Sequence, residues 1–172
     1  MTLAVRDDPV TIRCSCGAVA LDLRGASIGC AACFCDTCRE GSSRIEALPD
    51  APPVRDAFGG TAYVLYRKDR VSYAKGSGVL DTFTLAQSPK TERVVATCCK
   101  TAMPMRFDDA RHWVAIYRAR FGPNAPAIEM RICTRFLPDG AVLPDDVPAY
   151  RDYAPALMLK LLSSRLAMLV RR

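Results

Sequence analysis

The nine cysteines of this chain constrain its fold more than any other feature, because most of them fall in three short clusters. The clusters read Cys14-Ser15-Cys16-Gly17, Cys30-Ala31-Ala32-Cys33-Phe34-Cys35-Asp36-Thr37-Cys38-Arg39 and, far along the chain, Cys98-Cys99. An odd number of cysteines grouped in this way favours metal binding over a disulfide framework. Zinc takes four thiolates in structural sites, and three protein ligands in sites that keep a position open. The clusters therefore predict one or two zinc ions per chain, one held by two pairs of cysteines and the other by three.

Several features of the sequence indicate a reducing, cytoplasmic environment for these cysteines. Residues 1–10 lack the apolar core of a signal peptide. The sequence has no run of about eighteen apolar residues, so we expect no membrane span. Structural disulfides are rare in the cytosol, although a vicinal disulfide between Cys98 and Cys99 is the alternative to metal binding there. The net charge of +6 comes from scattered lysines and arginines, which predicts no nucleic-acid partner.

Two cysteines and the single histidine are not predicted to bind metal. Cys30 and Cys133 are interpreted as buried core residues, because free cysteine behaves as a small hydrophobic side chain. Cys30 has an alternative role, since it lies three residues before Cys33 and could swing in to complete a four-cysteine shell. His112 is far from every cluster in the sequence, and we interpret it as structural.

Short β-forming segments separated by turn residues predict a mainly β, antiparallel fold. The predicted strands cover residues 11–13, 18–23, 62–66, 71–74, 79–85, 94–97, 113–117 and 128–132. Residues 48–54 contain three prolines and are predicted as a loop. Pro155 suits the first turn of a helix that runs to Val170. We therefore expect a β domain over residues 1–137, followed over residues 138–172 by a proline-rich linker and an apolar C-terminal helix.

The predicted C-terminal helix is apolar on more than one face, with leucines at positions 157, 159, 161, 162, 166 and 169. We expect one face to pack on the β domain and the other to meet a second copy of the chain, which predicts a homodimer. Contact with a membrane surface is the alternative for a helix of this kind.

The cysteine arrangement resembles that of the glutathione-dependent formaldehyde-activating enzymes and centromere protein V, which are small zinc proteins of the β-tent fold. The resemblance rests on Cys14-Ser15-Cys16-Gly17-Ala18-Val19, Cys33-Phe34-Cys35-Asp36-Thr37-Cys38-Arg39 and Cys99-Lys100-Thr101-Ala102, within residues 12–105. It implies an antiparallel β-tent zinc-binding fold over residues 1–137. It also implies a carbon–sulfur lyase that acts on an adduct of formaldehyde with glutathione or another thiol. The alternative is a non-catalytic zinc module that binds a protein or a small molecule.

The resemblance also assigns roles to individual residues. In that family the first and last pairs bind a structural zinc, here Cys14, Cys16, Cys98 and Cys99. The middle three cysteines bind a second zinc with an open position, and they would act in catalysis through that metal: Cys33, Cys35 and Cys38. Apart from the resemblance, Arg39 is predicted to contact the carboxylate of an anionic thiol such as glutathione, and the alternative is that it only offsets the charge of the thiolates. Asp36 is interpreted as a cap of the turn rather than as a proton shuttle.

One departure from the family pattern concerns the last pair of cysteines. That pair is normally C-x-x-C, but Ala96 stands at its first position here. We expect Cys98 to substitute for the missing ligand, which requires a bent backbone at Cys98 and Cys99. The departure indicates an uncharacterised branch of the superfamily.

Overall fold

The structure, a computed structural model, describes residues 9–170, which contain two β sheets and two α helices. The strands are β1 (Val10–Arg13), β2 (Ala20–Leu23), β3 (Gly29–Cys33), β4 (Thr61–Arg67), β5 (Val71–Lys75), β6 (Leu80–Leu85), β7 (Ser88–Ala96), β8 (Ala102–Phe107), β9 (Trp113–Tyr117) and β10 (Met130–Ile132). The helices are α1 (Asp36–Glu46) and α2 (Pro155–Val170), and short 3₁₀ turns cover Lys68–Arg70, Ser77–Val79, Arg118–Asn124 and Thr134–Phe136. These elements confirm the predicted mainly β fold with a C-terminal helix.

The strands form one small and one large sheet. The small sheet has the order β1-β2-β5 and is antiparallel throughout. The large sheet has the order β10-β3-β4-β9-β8-β7-β6, and among the described strands β10 and β3 alone run parallel. The mostly antiparallel pairing agrees with the prediction. The parallel pair was not predicted, and it places the end of β10 beside the end of β3.

The large sheet is covered on both faces, because its strands direct apolar side chains alternately to the two sides. On one face, Cys30 and Val64 share a core with Leu21 of the small sheet. On the other face, Tyr63 shares a second core with both helices, including Leu157 of α2. The fold therefore has three layers, in the order small sheet, large sheet and helices.

Strand β8 was not predicted, because Pro104 lies in its middle and proline is rare inside a sheet. The structure accommodates this proline at a β bulge. The register between β7 and β8 shifts between the pair Arg93 and Met105 and the pair Val95 and Ala102. The absent N–H of Pro104 thus falls where the ladder is already interrupted.

Helix α2 packs one face on the large sheet. Leu157 and Leu161 are 3% and 7% exposed. The burial of each stabilises the docked helix by about 2 kcal/mol. The Ser164 hydroxyl oxygen lies 2.6 Å from Nε2 of His112, which fixes the helix to the segment before β9. This contact agrees with the structural interpretation of His112.

The opposite face of α2 is exposed. Four leucines that are each more than half exposed form a stripe along it, which we call the α2 outer surface: Leu159, Leu162, Leu166 and Leu169. Within residues 9–170, no helix has the length and apolar character that a membrane span requires. The division into residues 1–137 and 138–172 stays a prediction. Its outer ends, residues 1–8 and 171–172, lie outside the described residues. Residues 1–8 also make up most of the segment that is predicted to lack a signal peptide.

Candidate metal centres

The first cysteine pair lies in the turn that joins β1 to β2. The backbone N–H of Cys14 donates to the Val19 carbonyl at 3.0 Å, and the N–H of Gly17 donates to the Cys14 carbonyl at 3.0 Å. Gly17 has a φ of 74°, in the left-handed region that glycine adopts without strain. The turn brings the sulfurs of Cys14 and Cys16 to within 3.6 Å of each other.

The last cysteine pair lies in the turn between β7 and β8. The Ala96 N–H donates to the Thr101 carbonyl at 2.9 Å, which closes the hairpin around residues 97–100. Lys100 has a φ of 55°, so the backbone bends directly after Cys98 and Cys99. The bend that adjacent ligands require is therefore present.

Hydrogen bonds join these two turns to each other. The Ser15 N–H donates to Oγ1 of Thr101 at 3.1 Å, and the hydroxyl oxygens of the two residues lie 2.8 Å apart. The first turn belongs to the small sheet and the second to the large sheet. A metal ion held by both cysteine pairs would therefore crosslink the two sheets.

The four sulfurs have the spacing of a tetrahedral thiolate site. The distances are 3.6 Å from Cys14 to Cys16, 4.0 Å from Cys14 to Cys98, 3.3 Å from Cys16 to Cys98 and 3.7 Å from Cys98 to Cys99. With zinc–sulfur bonds of about 2.3 Å, the sulfurs of a regular tetrahedron lie about 3.8 Å apart. The separation of Cys98 and Cys99 also excludes a vicinal disulfide in this structure. These four cysteines could thus hold a metal ion.

Neighbouring groups stabilise the thiolate forms that metal binding requires. The Val19 N–H donates to Sγ of Cys14 at 3.2 Å. Burial raises the pKa of Cys99, but hydrogen bonds from the Thr101 hydroxyl and from backbone N–H groups outweigh burial and lower that pKa to about 6. Arg120 adds a positive charge near Cys99 and Cys14, and its Nε is buried without a hydrogen-bond partner. An anionic metal–thiolate centre at these cysteines would supply a counter-charge for this arginine.

The middle cluster lies where β3 runs into α1. Cys33 ends β3, Cys35 immediately precedes α1, and Cys38 lies in the first turn of the helix. Their sulfurs all lie within 4.8 Å of one another, so these three residues form a second group that could hold a metal ion. The C-x-x-C segment is thus a strand-to-helix junction, which was not predicted.

The three thiols of this cluster influence one another. Hydrogen bonds from Cys33 and then Cys38 lower the pKa of Cys35 against the opposing effect of burial, and the Thr37 hydroxyl adds a weaker contribution. One sulfur is therefore favoured as a thiolate, which is the form that binds metal. Asp36 lies in the first turn of α1, where a carboxylate interacts favourably with the helix dipole.

Arg93 places a buried positive charge next to this cluster. Its side chain is 1% exposed, and its Nη2 donates to the Thr37 carbonyl at 2.7 Å. Its Nε is buried without a partner. Gly41 makes room for this side chain, because a Cβ there would lie 1.9 Å from Nε of Arg93. A buried charge is costly unless it is well paired, so a metal ion with three thiolates, which would be anionic, fits this position.

A cavity of about 340 Å³ opens beside the three cysteines. Apolar side chains from the large sheet and α2 form much of its wall, among them Leu65, Met105, Phe107, Trp113, Leu157 and Leu161. Its wall also includes Cys33, Cys35, Cys38, Thr37, Arg93 and Arg111. Arg111 pairs with Asp109, and its guanidinium lies 3.9 Å from the centre of the Phe107 ring. The cluster thus adjoins a space of the size that small ligands occupy.

Arg39 lies apart from this cavity. Its Nη1 donates to the Phe136 carbonyl at 2.7 Å, and it is not among the residues of the cavity wall. Its contact with a ligand carboxylate stays a prediction. Arg93 and Arg111 were not predicted as site residues, because they come from β7 and the segment before β9 and carry no local motif.

The two remaining cysteines lie on opposite faces of the large sheet. Cys30 belongs to the core between the sheets, whereas Cys33 belongs to the core beneath the helices. Cys30 and Cys33 are three residues apart in β3, so their side chains point to opposite faces of the sheet. Cys30 is therefore not placed to complete the shell of the three-cysteine cluster. Cys133 is buried, as predicted, but it lies on the same face as Cys33.

Fold and site together define a mainly β protein with two cysteine groups that could hold metal ions. No family model matches this chain. No curated protein matches it either. A crystal structure of a Rhodobacter sphaeroides protein, a structural-genomics target, is similar at 14% identity and a TM-score of 0.47, and covers 81% of this chain and 99% of that one. The connection to the β-tent zinc proteins therefore rests on the cysteine pattern.

Proposed function

We propose that this is a cytoplasmic zinc protein in which the four-cysteine cluster is structural and the three-cysteine cluster accepts a small thiol. We propose further that it is a carbon–sulfur lyase, because its cysteines resemble those of the glutathione-dependent formaldehyde-activating enzymes. The observation that carries the proposal is the cavity of about 340 Å³ beside the three cysteines. Structural zinc sites have four protein ligands, whereas three ligands beside a cavity suit an exchangeable ligand.

Zinc held by Cys33, Cys35 and Cys38 would act as a Lewis acid that lowers the pKa of a thiol and polarises an aldehyde carbonyl. The side chains of the protein supply the remaining requirements. The apolar side chains in the wall lower the local dielectric constant, which strengthens electrostatic interactions inside the cavity. The positive charge of Arg93 favours the thiolate form of a ligand over its neutral form. Addition of a thiolate to an aldehyde forms a carbon–sulfur bond, and the reverse step cleaves it.

The cavity wall favours a thiol with an apolar body. Glutathione carries two carboxylates and an ammonium group, and apolar side chains such as Leu65 and Phe107 offer these groups no hydrogen bonds. An unpaired charge is costly to bury, so these groups would lie at the mouth, near the partly exposed Arg111. Glutathione is the ligand that the resemblance implies, and a smaller, more apolar thiol is the one that the wall favours.

Calorimetry on the zinc-loaded protein tests thiol binding, with a phosphine as reductant so that no competing thiol is present. We expect benzyl mercaptan to bind about tenfold more tightly than glutathione, because burial of its ring gains about 25 cal/mol per Å². Arg93→Met should weaken binding by about tenfold or more, since an interaction with a charged group contributes about 1.5–3 kcal/mol.

Arg39→Met is the matched control for the loss of one arginine. Arg39 lies outside the cavity wall, so we expect binding to stay unchanged. Loss of binding in Arg39→Met but not in Arg93→Met would reverse the two assignments. Failure of every thiol to bind would contradict the proposed ligand class. The lyase activity is tested separately, by the change in free thiol when formaldehyde is added with the bound ligand.

The exposed α2 outer surface favours a second candidate function, a non-catalytic zinc module that associates through this helix. We expect the full-length chain to form a homodimer, because pairing this surface removes four leucines from water. Leu162→Glu with Leu166→Glu should give a monomer in light scattering. Ser163→Glu with Arg165→Glu adds acidic residues outside the leucine stripe and should leave the dimer intact. A monomeric wild-type protein would contradict this role for the helix.

A further inference from the structure

Cys133 lies beside the three-cysteine cluster. It directly follows Ile132, the last residue of β10, which pairs in parallel register with Cys33. Cys133 is 4% exposed and shares a core with Cys33 and Cys38. Cys133 therefore lies next to the end of β3, on the face of the large sheet that carries Cys33.

The segment before α2 also connects Cys133 to the cavity. Tyr153 contributes to the cavity wall. It directly follows Asp152, whose carbonyl accepts a hydrogen bond from the Cys133 N–H. A fourth thiol is therefore near a cluster that has three protein ligands and lacks a fourth.

The backbone of Cys133 has a conformation that is uncommon for this residue type. Its φ is 59° and its ψ is 35°, in the left-handed region that favours glycine. The Cys133 N–H donates to the Asp152 carbonyl at 3.0 Å, and the Phe136 N–H donates to the Cys133 carbonyl at 3.3 Å. Glycine would adopt this conformation with less strain, so the presence of cysteine indicates a use for the side chain.

We propose that Cys133 is a fourth protein ligand of the second metal centre, and that its thiolate completes the shell when no thiol occupies the cavity. This inference rests on the proposed function, in which the centre accepts an exchangeable ligand. The Cys133 sulfur does not share the 4.8 Å spacing of Cys33, Cys35 and Cys38, so its side chain must turn toward them. Rotation of a cysteine between staggered χ1 positions moves its sulfur by about 3 Å without a change in the backbone.

Cys133 and a ligand thiol would then compete for one coordination position. When the ligand binds, its sulfur forms the bond to the metal and the bond from Cys133 breaks. The proton of the incoming thiol passes to the Cys133 thiolate, so the charge of the centre is unchanged. Removal of the Cys133 thiol should therefore tighten the binding of benzyl mercaptan. The expected factor is the ratio of the form in which Cys133 is bound to the form in which it is not.

Cadmium-113 NMR tests this inference, because cadmium replaces zinc at thiolate sites and its chemical shift reports the number of sulfur ligands at each centre. The full chain is loaded with cadmium-113 under a phosphine reductant, since a thiol reductant would itself be a ligand. Cys133→Gly removes the thiol and suits the left-handed backbone. Cys30→Ala removes a similarly buried thiol from the opposite face of the sheet and is the control.

We expect two resonances in the four-sulfur range for the wild type and for Cys30→Ala. In Cys133→Gly, one of them should move to the three-sulfur range. A three-sulfur resonance in the wild type, or a spectrum that Cys133→Gly leaves unchanged, overturns the inference but not the proposed function. A third outcome combines the two expected four-sulfur resonances of the wild type with the absence of thiol binding in both the wild type and Cys133→Gly. This outcome supports Cys133 as a ligand and contradicts the proposed function. The wild-type spectrum counts the sulfurs even if a variant fails to fold.

Discussion

Removal of the bound metal is expected to unfold the protein. The four-cysteine cluster joins the β1–β2 turn of the small sheet to the β7–β8 turn of the large sheet, so its metal ion would crosslink two layers of the fold. Binding of structural zinc contributes about 10–16 kcal/mol to the free energy of folding in zinc-finger peptides. A typical domain is stable by about 5–15 kcal/mol in total. We therefore expect a chelator to abolish the cooperative thermal transition seen by circular dichroism, and Cys14→Ser to do so without a chelator.

Cys30→Ser is the matched control for this prediction. Cys14 and Cys30 are 3% and 2% exposed and belong to the same core, but only Cys14 lies in a metal group. The loss of a buried thiol alone should cost about 1–2 kcal/mol. Cys35→Ser should cost less stability than Cys14→Ser, because its cluster does not join the two sheets. Equal losses in Cys14→Ser and Cys30→Ser, or an unchanged transition in the chelated protein, would contradict a structural metal ion.

Gly41→Ala is expected to lower the free energy of unfolding by about 3 kcal/mol. Replacement of glycine by alanine inside a helix normally has the opposite effect, because alanine stabilises a helix interior by about 1 kcal/mol relative to glycine. A Cβ at position 41 would lie 1.9 Å from Nε of Arg93 and 2.6 Å from both Cδ and Cζ. Arg93 is 1% exposed and is enclosed by other groups, so it must be displaced to make room. Urea denaturation measures the change.

Gly78→Ala is the control for the removal of a glycine. A Cβ at Gly78 would meet no atom within 4 Å, and its backbone is not left-handed. We expect this variant to change the free energy of unfolding by less than about 0.5 kcal/mol. Gly41→Ala should also weaken thiol binding, because it moves the positive charge of Arg93 beside the cavity. Unchanged or increased stability in Gly41→Ala would show that Arg93 does not pack across α1.

The sequence predicted the parts of the fold that have strong local preferences. Strands β4 and β9 are rich in β-branched and aromatic residues, and α2 begins at a proline and continues with leucines. Strand β3 was missed because its residues are glycine, alanine and cysteine, and its conformation depends on pairing with β4 and β10. Helix α1 was missed because Gly41 and two serines give it a low helix propensity, while packing of Ile45 holds it in place.

The cysteine pattern identified all the residues that form the two candidate metal groups, because ligands within each cluster are close in the sequence. It did not identify Arg93 or Cys133, because each reaches the second cluster through a distant strand. No local pattern predicts that β10 runs parallel to β3 or that Arg93 crosses α1 at Gly41. Nor does the sequence indicate that Leu157 of α2 forms part of the cavity wall. These relations depend on tertiary packing.

Metal content and coordination of the purified protein are the most direct test of two thiolate zinc centres. The measurement combines elemental analysis with zinc X-ray absorption on protein prepared without added metal. We expect two zinc ions per chain, one for each cysteine group, with a first shell dominated by sulfur at about 2.3 Å. A folded protein without metal, or a shell dominated by nitrogen or oxygen, would contradict the assignment of both centres.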